Sequence, residues 1–147
     1  MKTVHGNLIT LAKQGQFDVI VHGCNCFHTM GAGIAKSIAD EFPQALAADK
    51  QTKHGDRNKM GTYSFAKCEE LTIVNAYTQF KFWGEGIKAD YDAIEKVFAQ
   101  IAMDFEGCRI GYPMIGAGLA GGDWKRISQL IETQLQGIDH TLVIYKN

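Results

Sequence analysis

The sequence predicts an α/β fold with a mainly parallel, helix-covered sheet, and three observations carry that prediction. Short apolar runs alternate with amphipathic stretches of helical period along the whole chain. Most of the runs are apolar almost throughout, as strands buried on both faces are. Two of them end in glycine-rich loops that each open a helix: Gly31-Ala32-Gly33, and Gly116-Ala117-Gly118-Leu119-Ala120-Gly121-Gly122.

Taken in order, the strands are expected at 2–5, 18–24, 61–67, 71–76, 109–114 and 141–145. A short helix at 8–13 follows the first. Ile34, Ile38 and Phe42 recur at four-residue spacing and mark a helix after the first glycine loop. Residues 55–60 read as a polar turn before a hairpin. Tyr91, Ile94, Val97, Phe98, Ile101 and Phe105 form a broad stripe at helical period, with Asp90 placed to cap it. Trp124, Ile127, Leu130, Ile131 and Leu135 form another behind Asp123, a second cap. Residues 1–147 make one domain with one core, without linker, repeat or low-complexity segment.

Composition bounds the function. The net charge of −1 lacks the footprint of a nucleic-acid binder, and no apolar run reaches membrane-spanning length. Neither nucleic acid nor membrane is an expected partner. The start reads directly into a strand with no signal-peptide pattern, so a cytoplasmic monomer is expected. Cys24, Cys26, Cys68 and Cys108 are read as reduced thiols in a chain too core-rich to need disulfides.

Both glycine loops leave the carboxyl ends of strands, where open α/β sheets bind ligands. Glycine admits close approach to the backbone, and a helix N-terminus adds unpaired N–H groups and partial positive charge. Either loop alone is equally well a tight strand–helix turn. Together they suggest a ligand with two phosphates, or a phosphate and a distal ribose. Gly116-x-Gly118-x-x-Gly121 matches the dinucleotide fingerprint, yet too little chain follows it for the rest of a nicotinamide-binding unit.

His22, Cys24, Cys26 and His28 are all zinc-friendly. An extended segment would separate the two histidines by about 20 Å, so one metal would need a sharp fold-back after Cys24. Otherwise this is a buried strand end with thiols packed like alanine. No metal or cofactor is expected. His22, beside the first loop, is either a structural residue or a general acid–base at the crevice. Asn25 is a turn former or a ribose ligand. Asp123 is foremost a cap, Trp124 a core residue, and Gln79 at most a hydrogen-bond donor at the crevice.

Residues 21–26 and 30–35, followed by 113–119, resemble the two ligand loops of macro domains. Residues 4–8 resemble that family's first strand and turn, and 142–145 its last strand, so the likeness spans the chain. It implies a three-layer α/β/α fold with a mixed, mainly parallel sheet, and ADP-ribose or a derivative as ligand. By position, Gly31, Ala32, Gly33 and Ile34 would face one side of the diphosphate, and Gly116, Ala117, Gly118, Leu119 and Ala120 the other. Asn25 would reach the distal ribose and Tyr145 the adenine. Asn7 stands where many members use Asp to read the adenine amino group.

Ala35, Gln79 and Ala120 replace the acid, lysine and Asp of two hydrolase branches. The first loop instead resembles the yeast-type ADP-ribose 1″-phosphate phosphatases, with His22 at their histidine. The resemblance thus implies a phosphatase acting on ADP-ribose 1″-phosphate, with His22 and Asn25 as its catalytic residues. An ADP-ribosyl hydrolase and a non-catalytic ADP-ribose reader remain the alternatives.

Overall fold

The computed structural model describes residues 1–146. Its six strands are β1 (Lys2–Gly6), β2 (Val19–Cys24), β3 (Tyr63–Cys68), β4 (Leu71–Tyr77), β5 (Ile110–Tyr112) and β6 (His140–Tyr145). They form one sheet in the order β1-β6-β5-β2-β4-β3. Every neighbouring pair is parallel except β3–β4, which closes a short hairpin at one edge. The sheet is therefore mixed and mainly parallel, as expected.

Strand periodicity sorts the core into two halves. Val19 and Val21 of β2, with Val74 and Ala76 of β4, face α4 (Tyr91–Asp104) and α5 (Trp124–Gln134). There they meet Ile94, Val97, Phe98, Ile101, Ile127 and Ile131, which supply the two helical stripes read from the sequence. Ile20 and Ile73, one residue out of phase, face α1 (Leu8–Lys13), α2 (Gly33–Glu41) and α3 (Pro43–Lys50). Leu8, Ala12, Ile38 and Ala45 close that side. Asp90 and Asp123 cap as expected, accepting the N–H of Ala93 and of Lys125 at 3.0 Å each.

Several strand boundaries and one helix differ from the sequence expectation. β2 begins at Val19; Asp18 just before it still donates its N–H to Arg109 O at 2.8 Å, and its carboxylate accepts the Arg109 backbone N–H at 2.8 Å and its guanidinium at 2.9 and 3.1 Å. β5 has three residues rather than six, and Pro113, which lacks an N–H, follows its end. The hairpin strand starts at Tyr63 rather than 61. α3 is an additional helix: Pro43 starts it, but its inward residues are Ala45 and Asp49, too small and too polar to make an apolar stripe. A 3₁₀ turn, Arg57–Lys59, occupies part of the expected polar turn.

Close packing at β5 explains one glycine. A Cβ on Gly111 would lie 2.7 Å from the Phe17 ring, below any real contact. Gly111→Ala is expected to destabilise the fold by about 1–3 kcal/mol through overpacking. Urea unfolding measures it, and an unchanged midpoint would show that Phe17 yields freely.

Candidate functional site

Because β2 and β5 run parallel and adjacent, with Val19 opposite Ile110 and Ile20 opposite Gly111, their carboxyl ends deliver both glycine loops to one edge of the sheet. Two chambers open between the loops. The first, about 500 Å³, is walled by Gly31–Ile34 on one side and Gly116 and Gly118–Ala120 on the other. Gly23, Cys24 and Asn25 also line it. The second, about 540 Å³, is lined by Asn7, Ile9, Ala117, Val143 and Tyr145, among others. The chambers share Gly33, Ile34, Pro113, Met114 and Gly118, so they form one continuous cleft.

The walls are rich in backbone donors. Among the described residues, the amides of Gly33, Ile34 and Ala35 in the first turn of α2 have no acceptor within the chain. The same holds for Gly118, Leu119 and Ala120 in the second loop. That loop is braced from within: Gly121 N–H donates to Gly118 O at 3.0 Å and Gly122 N–H to Gly116 O at 2.7 Å. Gly116 has φ +75°, and a Cβ there would press on Ile127, Ala89 and Ile94 at 3.1–3.3 Å, so the core requires glycine. A Cβ on Gly118 meets nothing within 4 Å, because this residue faces the open cleft.

Among the described residues, no Asp or Glu lines either chamber, and the single charged side chain on their walls is Lys88, at the end of the first chamber beside Gln79 and Phe82. Its backbone N–H donates to Ala120 O at 2.8 Å, tying it to the second loop. Its ammonium reaches Gly86 O at 3.3 Å and has no carboxylate within 4 Å among the described residues. The sequence reading missed Lys88. It lies in the loop between β4 and α4, which carries no strand or helix pattern; the only signal was a lysine just before a capped helix.

The sequence-expected ligand residues Asn7, Gly31, Ala32, Gly33, Ile34, Gly116, Ala117, Gly118, Leu119, Ala120 and Tyr145 all lie along these walls. Asn7 also caps α1, its Oδ1 accepting the Thr10 N–H at 3.1 Å. Asn25 reaches the cleft, but its amide is engaged in shaping the loop. Oδ1 accepts the Phe27 N–H, and Nδ2 donates to Thr29 O, both at 2.8 Å.

His22 departs from expectation. Its side chain is fully buried and does not line either chamber; the alternation of β2 turns it away from the crevice. It heads a directional chain of hydrogen bonds beneath the first loop. His22 Nε2–H donates to Asn75 Oδ1 at 2.6 Å, and Asn75 Nδ2 donates to Ser64 Oγ at 3.1 Å. Ser64 donates to the Tyr77 hydroxyl at 2.8 Å, which donates to Asp49 Oδ1 at 2.7 Å. The Cys24 thiol lies 3.7 Å from Nδ1. Burial pushes the His22 imidazole down to about 4, against the opposing pull of the Asn75 bond and the Asp49 charge.

The zinc-friendly string diverges. Cys26 Sγ lies 3.6 Å from the Met60 sulfur and from Gln79 O, and His28 Nε2 donates to Thr52 O at 2.7 Å. Among the described residues, no group of three or more His, Cys, Asp and Glu side chains is arranged to hold a metal ion.

The Macro domain family model matches residues 21–131. The chain therefore belongs to the Macro domain family, a family of ADP-ribose-binding proteins. It is 34% identical over 152 residues to the uncharacterized 17.5 kDa protein in the tk-vs intergenic region of Enterobacteria phage T4, covering 97% of this chain and 95% of that one. It is 26% identical over 155 residues to the ADP-ribose 1″-phosphate phosphatase of Candida albicans, covering 93% and 92%. A solved Bacteroides thetaiotaomicron protein of unknown function superposes with TM-score 0.83 at 23% identity, covering 98% of both chains. A Trypanosoma brucei macrodomain in complex with ADP-ribose superposes at 0.64 and 17% identity, covering 88% of this chain and 58% of that one.

The buried imidazole gives stability a pH dependence. Folded His22 stays neutral down to about pH 4, whereas the unfolded residue protonates near 6.5. Between those values the unfolded chain binds more protons, so stability falls as pH drops from 6.5 towards 4. The shift is worth on the order of 3 kcal/mol. His140, also lowered mainly by burial, acts with the same sign. Urea titrations across this window are expected to show a shallower slope for His22→Gln than for the wild type. Equal slopes would place His22 in contact with solvent.

Proposed function

We propose that the cleft binds ADP-ribose and that the protein dephosphorylates ADP-ribose 1″-phosphate. The carrying observation is the cleft itself: two joined chambers, free backbone amides on facing loops, no carboxylate, and one unpaired lysine at the far end. The first chamber suits a diphosphate and distal ribose. The apolar second chamber, with Asn7 and Tyr145 on its walls, suits the adenosine. The relationship to the Candida albicans phosphatase supports the finer reading.

In this reading water attacks the terminal phosphorus and the P–O1″ bond breaks. The electron pair stays on O1″, which takes up the proton that the attacking water gives up, and inorganic phosphate and ADP-ribose leave. The loop amides hold the diphosphate. Lys88 neutralises the terminal phosphate and stabilises charge on the leaving oxygen. Asn25 fixes the loop that faces the ribose. His22, sealed under that loop, is a positioning residue and not a proton donor to substrate.

A second reading, a non-catalytic ADP-ribose reader, is favoured by one observation. No carboxylate or imidazole lines the chambers to activate water. Phosphate release from ADP-ribose 1″-phosphate decides between the two.

Lys88→Gln is expected to lower phosphate release about 10²-fold while weakening ADP-ribose binding less than about tenfold, because the lost charge acts mainly on the terminal phosphate. Equal loss of both would make Lys88 a diphosphate ligand. Wild-type protein that binds ADP-ribose without releasing phosphate is a reader.

Gly118→Val is expected to abolish the rise in thermal midpoint that ADP-ribose produces, with little change in the midpoint of the free protein. The branched side chain would project into the open cleft, where nothing in the fold meets it. An undiminished ADP-ribose shift in the variant would mean that the second loop does not touch the ligand.

A further inference from the structure

A groove of about 850 Å³ adjoins the cleft and, apart from the shared Lys88, takes no part in the function proposed above. It runs between the 3₁₀ turn, the loop after β4 and the start of α5, and it meets the first chamber at Lys88. Two guanidinium groups face it, each laid on an aromatic ring. Arg57 Cζ sits 3.8 Å from the centre of Phe80, and Arg126 Cζ 3.8 Å from the centre of Tyr91. Stacking fixes the plane of each guanidinium and leaves its N–H edge available. Neither arginine pairs with a carboxylate among the described residues. Lys81 and Lys88 bring the cations to four.

Asp90, the α4 cap, and Asp92 also line the groove, so its cations outnumber its carboxylates four to two, and Glu85 lies on the same loop. One large exposed ring stands among the cations: Trp83, 48% exposed, lines the groove, while Phe82 beside it lines the first chamber of the cleft. Trp83 is braced edge-on against Phe27 at 4.8 Å and Phe82 at 5.2 Å, so it is held rather than loose.

We propose that this groove binds single-stranded nucleic acid. Planar guanidiniums match phosphodiester oxygens in two-point geometry, and lysines add point charges along the backbone. The exposed Trp83 ring between them gives a base a face to stack on. An acidic peptide would use the cations and leave Trp83 without a role. The whole-chain net charge of −1 does not describe this surface, where four cations stand against the carboxylates of Asp90 and Asp92. A strand held here ends at Lys88, the mouth of the cleft.

The test is fluorescence anisotropy of a labelled oligothymidylate with the intact protein, over a range of salt. The expected result is binding in about the micromolar range at low salt, weakening with a log–log slope of about −0.7 per phosphate contacted. The double variant Arg57→Gln/Arg126→Gln should bind at least about tenfold more weakly, with a slope shallower by about 1.4. Trp83→Ala should weaken binding without changing the slope. Neither arginine lines the cleft, so the double variant should keep the wild-type melting temperature and its ADP-ribose shift. That control separates failure of the groove from failure of the fold or of the cleft. Absence of binding at low salt overturns the proposal. So does an unchanged slope in the arginine variant, and so does displacement of the oligonucleotide by polyglutamate as readily as by unlabelled oligonucleotide, which would mark an acidic-protein surface instead.

Discussion

Parallel pairing of β2 with β5 is the constraint on which the rest of the molecule depends. Those neighbouring strands end at the same edge of the sheet, although 85 or more residues separate them in sequence. Each then turns into a glycine loop that opens a helix, and the two loops enclose the cleft. Gly111 shows how little slack the pairing has, since β5 passes directly against Phe17. Gly116 shows the same at the loop, where Ile127, Ala89 and Ile94 leave no space for a side chain. The helices on both faces hold the sheet, and the sheet in turn fixes how far apart the two rows of free amides stand.

A second constraint lies beneath the first loop. His22, Asn75, Ser64, Tyr77 and Asp49 are joined in one direction of hydrogen bonding that ends on a buried carboxylate. Among the described residues, Asp49 Oδ2 has no hydrogen-bond partner, and Lys59, itself buried, places its ammonium 4.5 Å from the centre of the Tyr77 ring. Lys59 also donates to Cys26 O at 3.4 Å, within the loop that carries Asn25. Buried polar groups are costly unless paired, and a nearly satisfied network rigidifies what it touches. Here it touches β2, β4, α3 and the first loop at once. Within the fold His22 bonds its neighbours, with its ring buried and outside the lining of both chambers.

Much of this was legible in the sequence. Apolar runs and helical stripes gave the six strands, the long helices and both Asp caps, because burial on two faces leaves a strong periodic signal. The glycine loops stood out for the same reason: they interrupt that signal at strand ends. α3 was illegible because Ala45 and Asp49 are its inward residues. The direction of His22 was illegible because β2 is apolar on both faces, so alternation could not say which face it took. Lys88 had only its place before a capped helix as a signal, since an irregular loop positions it and the contact that anchors it is a backbone bond to Ala120. The aromatic–arginine groove likewise joins segments far apart in sequence, and no local pattern announces it.

The central claim is that ADP-ribose lies along both chambers and is held by the loop amides. Titration of isotope-labelled protein with ADP-ribose, followed by amide NMR shifts, tests it most directly. The account predicts saturable shifts largest at Gly33, Ile34, Gly118 and Leu119, extending to Asn7 at one end and Lys88 at the other, with the His22 ring signals unmoved. Shifts confined to one loop, or centred on residues outside the cleft, would contradict it.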